Sequence, residues 1–299
     1  MLEFLLSKLK DKDVQYIRGF KLSAISTFKT GGVAAVAIIP KDICEAVFVI
    51  KLFDLSGLKI KIIGNCSNLL FADGDLDYAV MLTGKLSKTY IYGKYINAEC
   101  GASLAHLSYF AYENHLCGLE ELHMIPARLG GAAASNAGAF GREMSDIISS
   151  VVIYDRKSYL TRTVDCRSLS FSYRNSIFKM EPERFFILSA TVQLDYGDKS
   201  SIKLRREQYR RMRIESQPTA PSLGSTFKRP KDGYAGQMID SVGLKGYRIG
   251  GAEVSHKHAG FIVNTGGATS KNYRDLMEFV QIRVKDSLGV WLEPEIEIF

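Results

Sequence analysis

The chain has 299 residues, 46% of them hydrophobic, with five cysteines and a formal charge of +7 from 39 Lys plus Arg against 32 Asp plus Glu. That length suits a globular protein with a sizeable core and room for two domains, and every apolar run is far shorter than the roughly 20 residues a membrane-spanning helix needs. An odd cysteine count without a CxxC pair fits neither a disulfide framework nor a zinc site, so reduced and mostly buried thiols are expected. The positive excess suits an anionic partner, while the absence of a run of cations or an Arg/Gly-rich tail argues against nucleic acid.

In chain order, "MLEFLLSKLKDKD" reads as a surface helix, since it lacks the apolar core and cleavage site of a secretion signal; a cytoplasmic location is expected. From residue 34 to about 84 a small α/β unit follows: "AAVAIIP", a helical "DICEAVFVIKLF", the strand "LKIKIIG", a loop, and "YAVMLTG". "KTYIYGKYINAEC" predicts a hairpin turning at Tyr92-Gly93-Lys94, and a helix is expected from about Ser103 to Asn114. After a Gly/Ala-rich segment, "IISSVVIYD" and "FFILSATVQLD" are strands that close this part near residue 195, with "YGDKSS" as the boundary.

Beyond it lie a basic helix "SIKLRREQYRRMRI", a short helix in "GYAGQMIDSVG", and strands in "YRIGGAEVS" and "AGFIVN". Tyr273, Leu276, Met277, Val280 and Val284 recur at helical spacing and predict a long helix with Ser270 as cap and Gly289 as stop. "VWLEPEIEIF" is read as a final strand.

Two glycine loops could serve a phosphorylated ligand. "GNCSNLL", Gly64 to Leu70, follows an apolar run and can offer backbone N–H groups, although in isolation a plain tight turn, with Ser67 and Asn68 bonding their own backbone, is the better explanation. It is not the G-x-G-x-x-G dinucleotide fingerprint. "IPARLGGAAASNAGAFGRE" interleaves Gly130, Gly131, Gly138 and Gly141 with Ala and Asn, which allows close backbone approach to a ligand or close helix packing.

Together with "TFKTGG", "FSYRNSIF", "GSTFKRP", "AGQMIDSVGLKGYRIGGAEVSHKHAGFIVN" and "LEPEIEIF", these loops stand in the order found in the UDP-N-acetylenolpyruvoylglucosamine reductases, and the chain resembles that family from about residue 20 to its end. The resemblance is to the shorter of the family's two types. It implies an α+β fold: a two-part FAD-binding domain of the vanillyl-alcohol-oxidase type over residues 1–195, divided near 84, and a substrate-binding domain over 196–299. It implies non-covalent FAD, NADPH as hydride donor, a UDP-linked enolpyruvyl sugar as substrate, a place in cell-wall precursor synthesis, and a monomer. The residues implied for the cofactor are Gly64, Asn65, Cys66, Ser67, Asn68 and Leu69 in the first loop, and Pro126, Gly130, Gly131, Ala132, Asn136, Ala137 and Gly138 in the second.

By the same resemblance Ser225 gives a proton, Arg174 pairs with the substrate carboxylate, and Glu295 helps polarise the reacting centre, while Tyr173, Lys228, Arg229 and His258 line the substrate. By residue type alone each has a commoner role: a turn hydroxyl, a surface ion pair, a solvated carboxylate, a core tyrosine. His256 and His258 have no third ligand nearby in sequence, so no metal is expected. The family's glycines are replaced at Cys66 and Ala127, and if both sites require positive φ, each added β-carbon costs on the order of 1 kcal/mol. Two other readings stand beside this one: a different flavin oxidoreductase on the same fold, and an anion-binding protein that has lost its flavin.

Overall fold

A computed structural model describes all 299 residues, which fall into two compact units, each with its own apolar core. The first unit comprises residues 1–18, 36–65 and 77–211; the second comprises 19–35, 66–76 and 212–299. The single boundary expected at 195/196 is not this division. Residues 196–211, with most of the basic helix Lys199–Ser216, lie in the first unit, and two early segments join the C-terminal residues.

Sequence patterning accounts for most elements of the first unit. Helix Ile43–Ser56 starts where the Asp42 carboxylate accepts the Glu45 N–H and stops at Gly57, in left-handed conformation. Helix Leu104–Glu113 is capped by Ser103 in the same way. Ile60–Ile63 pairs in parallel with Asp75–Leu82, as the α/β reading requires, in a four-stranded sheet that also holds Gln15–Lys21 and Val33–Ile39. The hairpin Thr89–Tyr92/Tyr95–Glu99 forms one edge of a five-stranded antiparallel sheet, ordered 89–92, 95–99, 185–193, 148–155, 160–165. Helix Leu129–Ala134, made of small residues, packs on this sheet through buried Leu129, Ala132 and Ala133.

In the second unit, strands Ser222–Ser225, Phe261–Asn264, Ala252–Val254 and Arg248–Ile249 form an antiparallel sheet in that order. Helix Ser270–Leu288 buries Tyr273, Leu276, Met277, Val280 and Val284, the five residues its period picks out, and ends at Gly289. Its N-cap is Thr269 rather than the expected Ser270: Thr269 and Asn272 exchange side-chain and backbone hydrogen bonds in a capping box. The Ser270 hydroxyl instead donates to the Phe71 carbonyl. The expected final strand shrinks to Glu297–Ile298, parallel to Leu69–Leu70, with an isolated bridge between Phe227 and Pro294.

Of the five thiols, Cys66 and Cys100 are buried, Cys117 and Cys166 half-buried and Cys44 exposed, with no disulfide. Burial pushes the Cys100 thiol up to about 12, so it stays protonated.

Candidate active site

In the first unit, strand Ile60–Ile63 delivers Gly64 and Asn65 to a turn, and the Asn65 amide donates to the Pro126 carbonyl at 2.7 Å, which ties the two glycine loops together. Between them lies Arg128, which sequence reasoning passed over. A β-carbon built on Gly64 would lie 3.6 Å from Arg128 Cβ, and one on Gly84 would lie 3.1 Å from Arg128 Nη2. Arg128 Nη1 donates to the Gly101 carbonyl at 2.6 Å, whereas its Nε–H is buried with no hydrogen-bond partner. The available signal was a cation set inside a glycine motif.

The expected cofactor glycines divide by surroundings. A β-carbon on Gly130 would come within 2.9 Å of Cys100 Cβ, and one on Gly138 within 2.7 Å of the Arg142 carbonyl, so both allow close packing within the protein. Gly131 faces open space, with nothing within 4 Å of a β-carbon. Ala132 is fully buried, Ala137 is half-buried, and Pro126 is exposed.

Arg174 sits in left-handed backbone, φ 54°, and its guanidinium is directed by backbone: Nη2 donates to the Gly138 carbonyl at 3.0 Å and Nη1 to the Asn136 carbonyl at 3.4 Å. The Glu143 carboxylate lies 3.9 Å from Nη1, and the guanidinium carbon stands 5.1 Å from the centre of the half-exposed Tyr173 ring. Asn136 is only 1% exposed. Its side-chain amide is hydrogen-bonded to protein groups on both its nitrogen and its oxygen.

The second unit holds the rest of the expected residues. Cys66 is buried at φ 53°, while Ala127 is absent from the residues with positive φ, so only one of the two replaced glycines carries backbone strain. Thr27 Oγ1 lies 3.1 Å from the Cys66 carbonyl and 2.8 Å from that of Ser222, joining the first loop to the strand that ends in Ser225. Between Ser222 and Ser225 the register with Phe261–Asn264 slips, and Gly224 has φ 78° there. Such a bulge re-aims the side chain after it, and Ser225 is exposed while Thr226 beside it is fully buried with Oγ1 3.0 Å from Tyr273 Oη.

The same strand sets Glu295. The Glu295 N–H donates to the Thr226 carbonyl at 2.8 Å, and the Lys228 N–H donates to the Glu293 carbonyl at 2.9 Å. Asn68 takes hold from the other side, its amide donating to the Glu295 carbonyl at 3.0 Å and its own carbonyl accepting the Glu297 N–H. Leu69 pairs with Glu297, and Ser67 is half-buried in the intervening turn. Ser225 and Glu295 are therefore brought together by backbone within one unit.

Lys228 Nζ lies 3.2 Å from Glu293, and the Arg229 guanidinium covers the Tyr234 ring at 4.7 Å. Half-buried His258 accepts the Gly260 N–H on Nδ1, which leaves Nε2 carrying the proton of the neutral ring. Burial holds the His258 pKa below the usual imidazole value, and the charge of Lys245 acts in the same direction.

Residues 217–299 match the model of the UDP-N-acetylenolpyruvoylglucosamine reductase C-terminal domain, and residues 34–163 match an FAD-binding domain. A UDP-N-acetylenolpyruvoylglucosamine reductase of Caldanaerobacter subterraneus is 38% identical over 301 residues, covering 100% of this chain and 99% of the relative. The chain belongs to the UDP-N-acetylenolpyruvoylglucosamine reductase family. The enzyme of that name from Caldicellulosiruptor saccharolyticus is 38% identical over 97% of this chain and 93% of its own length. The crystal structure of the one from Thermus caldophilus superposes with a TM-score of 0.80 at 30% identity, covering 96% of this chain and 98% of the other.

The fold is the expected α+β one, and the chain is a flavin-dependent oxidoreductase with FAD as its cofactor. Its residues fit that group. A diphosphate needs positive charge and free N–H donors, and the buried, unpartnered Nε–H of Arg128, the neighbouring glycine positions and the open face at Gly131 supply that chemistry.

Proposed function

We propose that the chain reduces UDP-N-acetylglucosamine-enolpyruvate to UDP-N-acetylmuramate with NADPH as donor, a step in peptidoglycan precursor synthesis. FAD, when bound, would supply the hydride chemistry that links NADPH to one vinyl carbon of the enolpyruvyl ether. A proton must then reach the other vinyl carbon, where negative charge builds toward the carboxylate. Ser225 gives that proton from Oγ: an enolic carbanion is basic enough to take it, and nearby positive charge stabilises the alkoxide left behind. Arg174 pairs its planar fork with the carboxylate and enolic oxygen. Glu295 polarises the same centre.

Lys228 and Arg229 face the diphosphate of the nucleotide, with Tyr173 and His258 along the substrate. Asn65, Cys66, Ser67, Asn68 and Leu69, with Pro126, Arg128, Gly131 and their neighbours, hold FAD. On this reading residues 1–195 serve the cofactor and 196–299 the substrate, a division by role that differs from the compact units. A cytoplasmic monomer completes the proposal.

The observation that carries the reading is the bulge at Gly224, which exposes Ser225 on a strand whose next residue is hydrogen-bonded to Glu295. A hydroxyl used only as a turn former would need no such re-aiming. Rapid-mixing measurements on Ser225→Ala test it. Flavin reduction by NADPH should stay near the wild-type rate while reoxidation by the enolpyruvyl substrate slows by about two orders of magnitude or more, the range of general acid catalysis. Equal loss in both half-reactions would contradict the proton-donor role.

A further inference from the structure

Asn136 lies in the second glycine loop, where a cofactor ligand was expected, yet its bonds lead elsewhere. Both side-chain N–H groups are donated within the protein, one to Glu143 Oε2 at 2.8 Å and one to the Ser172 carbonyl at 3.1 Å, and its Oδ1 accepts the Ser145 N–H at 2.9 Å. Its backbone N–H reaches the Ala133 carbonyl at 3.2 Å, and its backbone carbonyl accepts from Arg174. One buried side chain thus joins three pieces of chain: the end of helix Leu129–Ala134, the return arm of the hairpin at 142–145, and the segment 172–174 that carries Arg174.

The placement of Arg174 depends on those pieces. Its guanidinium bonds the carbonyls of Asn136 and Gly138 on the hairpin, and its backbone at φ 54° follows Ser172 by two residues. The hairpin turn is itself in left-handed conformation at Phe140 and Gly141, φ 52° and 87°, so it relies on its neighbours to keep its shape. The Phe140 ring packs on Tyr209 at 5.2 Å. Glu143, held by Asn136 and by its own capping box with Asp146, keeps its carboxylate 3.9 Å from Arg174. A planar amide with two donors and one acceptor, short enough for left-handed backbone at φ 41°, is what this junction requires, and Asn provides it.

We propose that Asn136 is a positioning residue for Arg174: its amide fixes the hairpin carbonyls and the 172–174 segment that aim the guanidinium, and it is not a ligand of FAD. This rests on Arg174 acting on the substrate, as the proposed function has it. A merely structural asparagine would affect both half-reactions and cofactor binding alike. A positioning residue affects the step in which Arg174 takes part.

The test is a double-mutant cycle on the FAD-loaded enzyme with Asn136→Ala, Arg174→Ala and the double variant, following flavin reduction by NADPH, reoxidation by the enolpyruvyl substrate, and FAD affinity by fluorescence titration. Asn136→Ala should leave FAD affinity and reduction within about threefold of wild type and slow reoxidation by about 10- to 100-fold, the scale of a misaligned catalytic group. In the double variant that factor should disappear, because an unaimed guanidinium and a missing one are equivalent. Factors that multiply in full, or FAD affinity that falls in step with the rate, would overturn the proposal while leaving Arg174 its role. Reoxidation unchanged in Arg174→Ala alone would overturn the reading of Arg174, and this proposal with it. Asn136→Ser, which keeps a hydroxyl donor and opens a smaller void, carries the same comparison if the alanine variant accumulates too little folded protein.

Discussion

A β-carbon at position 66 stands in left-handed backbone, and one at position 127 does not. The two replaced glycines should therefore behave differently. Cys66→Gly and Cys66→Ala both remove the thiol but only the first removes the β-carbon, so the glycine variant should be more stable than the alanine variant by about 1 kcal/mol in urea denaturation. Ala127→Gly should instead lose about 0.5 to 1 kcal/mol, because it adds freedom to the unfolded chain and relieves nothing. Sequence alone named both departures but could not separate them, since φ at a loop residue is set by what the loop must reach. Ser225, Arg174 and Glu295 could be singled out through their motifs, and the structure gives Ser225 an exposed place beside a residue bonded to Glu295. The bonds of Arg128 and Asn136 were not legible, because which groups a loop side chain meets depends on how the loop folds back, and no periodic pattern records it.

Helix Ser270–Leu288 shows how far periodicity carries at the scale of an element. Its buried face follows the heptad-like spacing of its apolar residues, whereas its start shifts by one residue because the Thr269 and Asn272 side chains complete a reciprocal box that the Ser270 hydroxyl, bonded to Phe71, does not make. Thr269→Ala should then cost about 1 kcal/mol of stability, and Ser270→Ala should act through the lost Phe71 bond without fraying the helix end, a difference amide exchange would show. Two of the strands that sequence missed share a cause. Gln15–Lys21 and Leu160–Asp165 are exposed along most of their length and lie at sheet edges, so they lack the alternation of a half-buried strand.

For the whole molecule, the hardest feature to read in advance was that residues 19–35 and 66–76 belong with the C-terminal unit, since no composition change marks them. Titration of His258 gives a global prediction. Its folded pKa lies below the unfolded value near 6.5, so as pH falls through that value the unfolded chain takes up a proton that the folded one resists. Its contribution is full above about pH 6.5 and is lost as pH falls toward the folded pKa; His258→Gln should flatten the stability profile in that range. Cofactor binding should also stabilise the fold, by about 2.7 kcal/mol at one hundred times Kd, which a melting series against added FAD would detect.

The central claim is the pairing of NADPH with an enolpyruvyl acceptor through FAD. An anaerobic absorbance trace of the purified, FAD-loaded protein tests it in one experiment, with NADPH added first and UDP-N-acetylglucosamine-enolpyruvate second. The account predicts bleaching of the flavin band on the first addition and its full return on the second. Bleaching that persists after the second addition would contradict it and assign the chain to another acceptor.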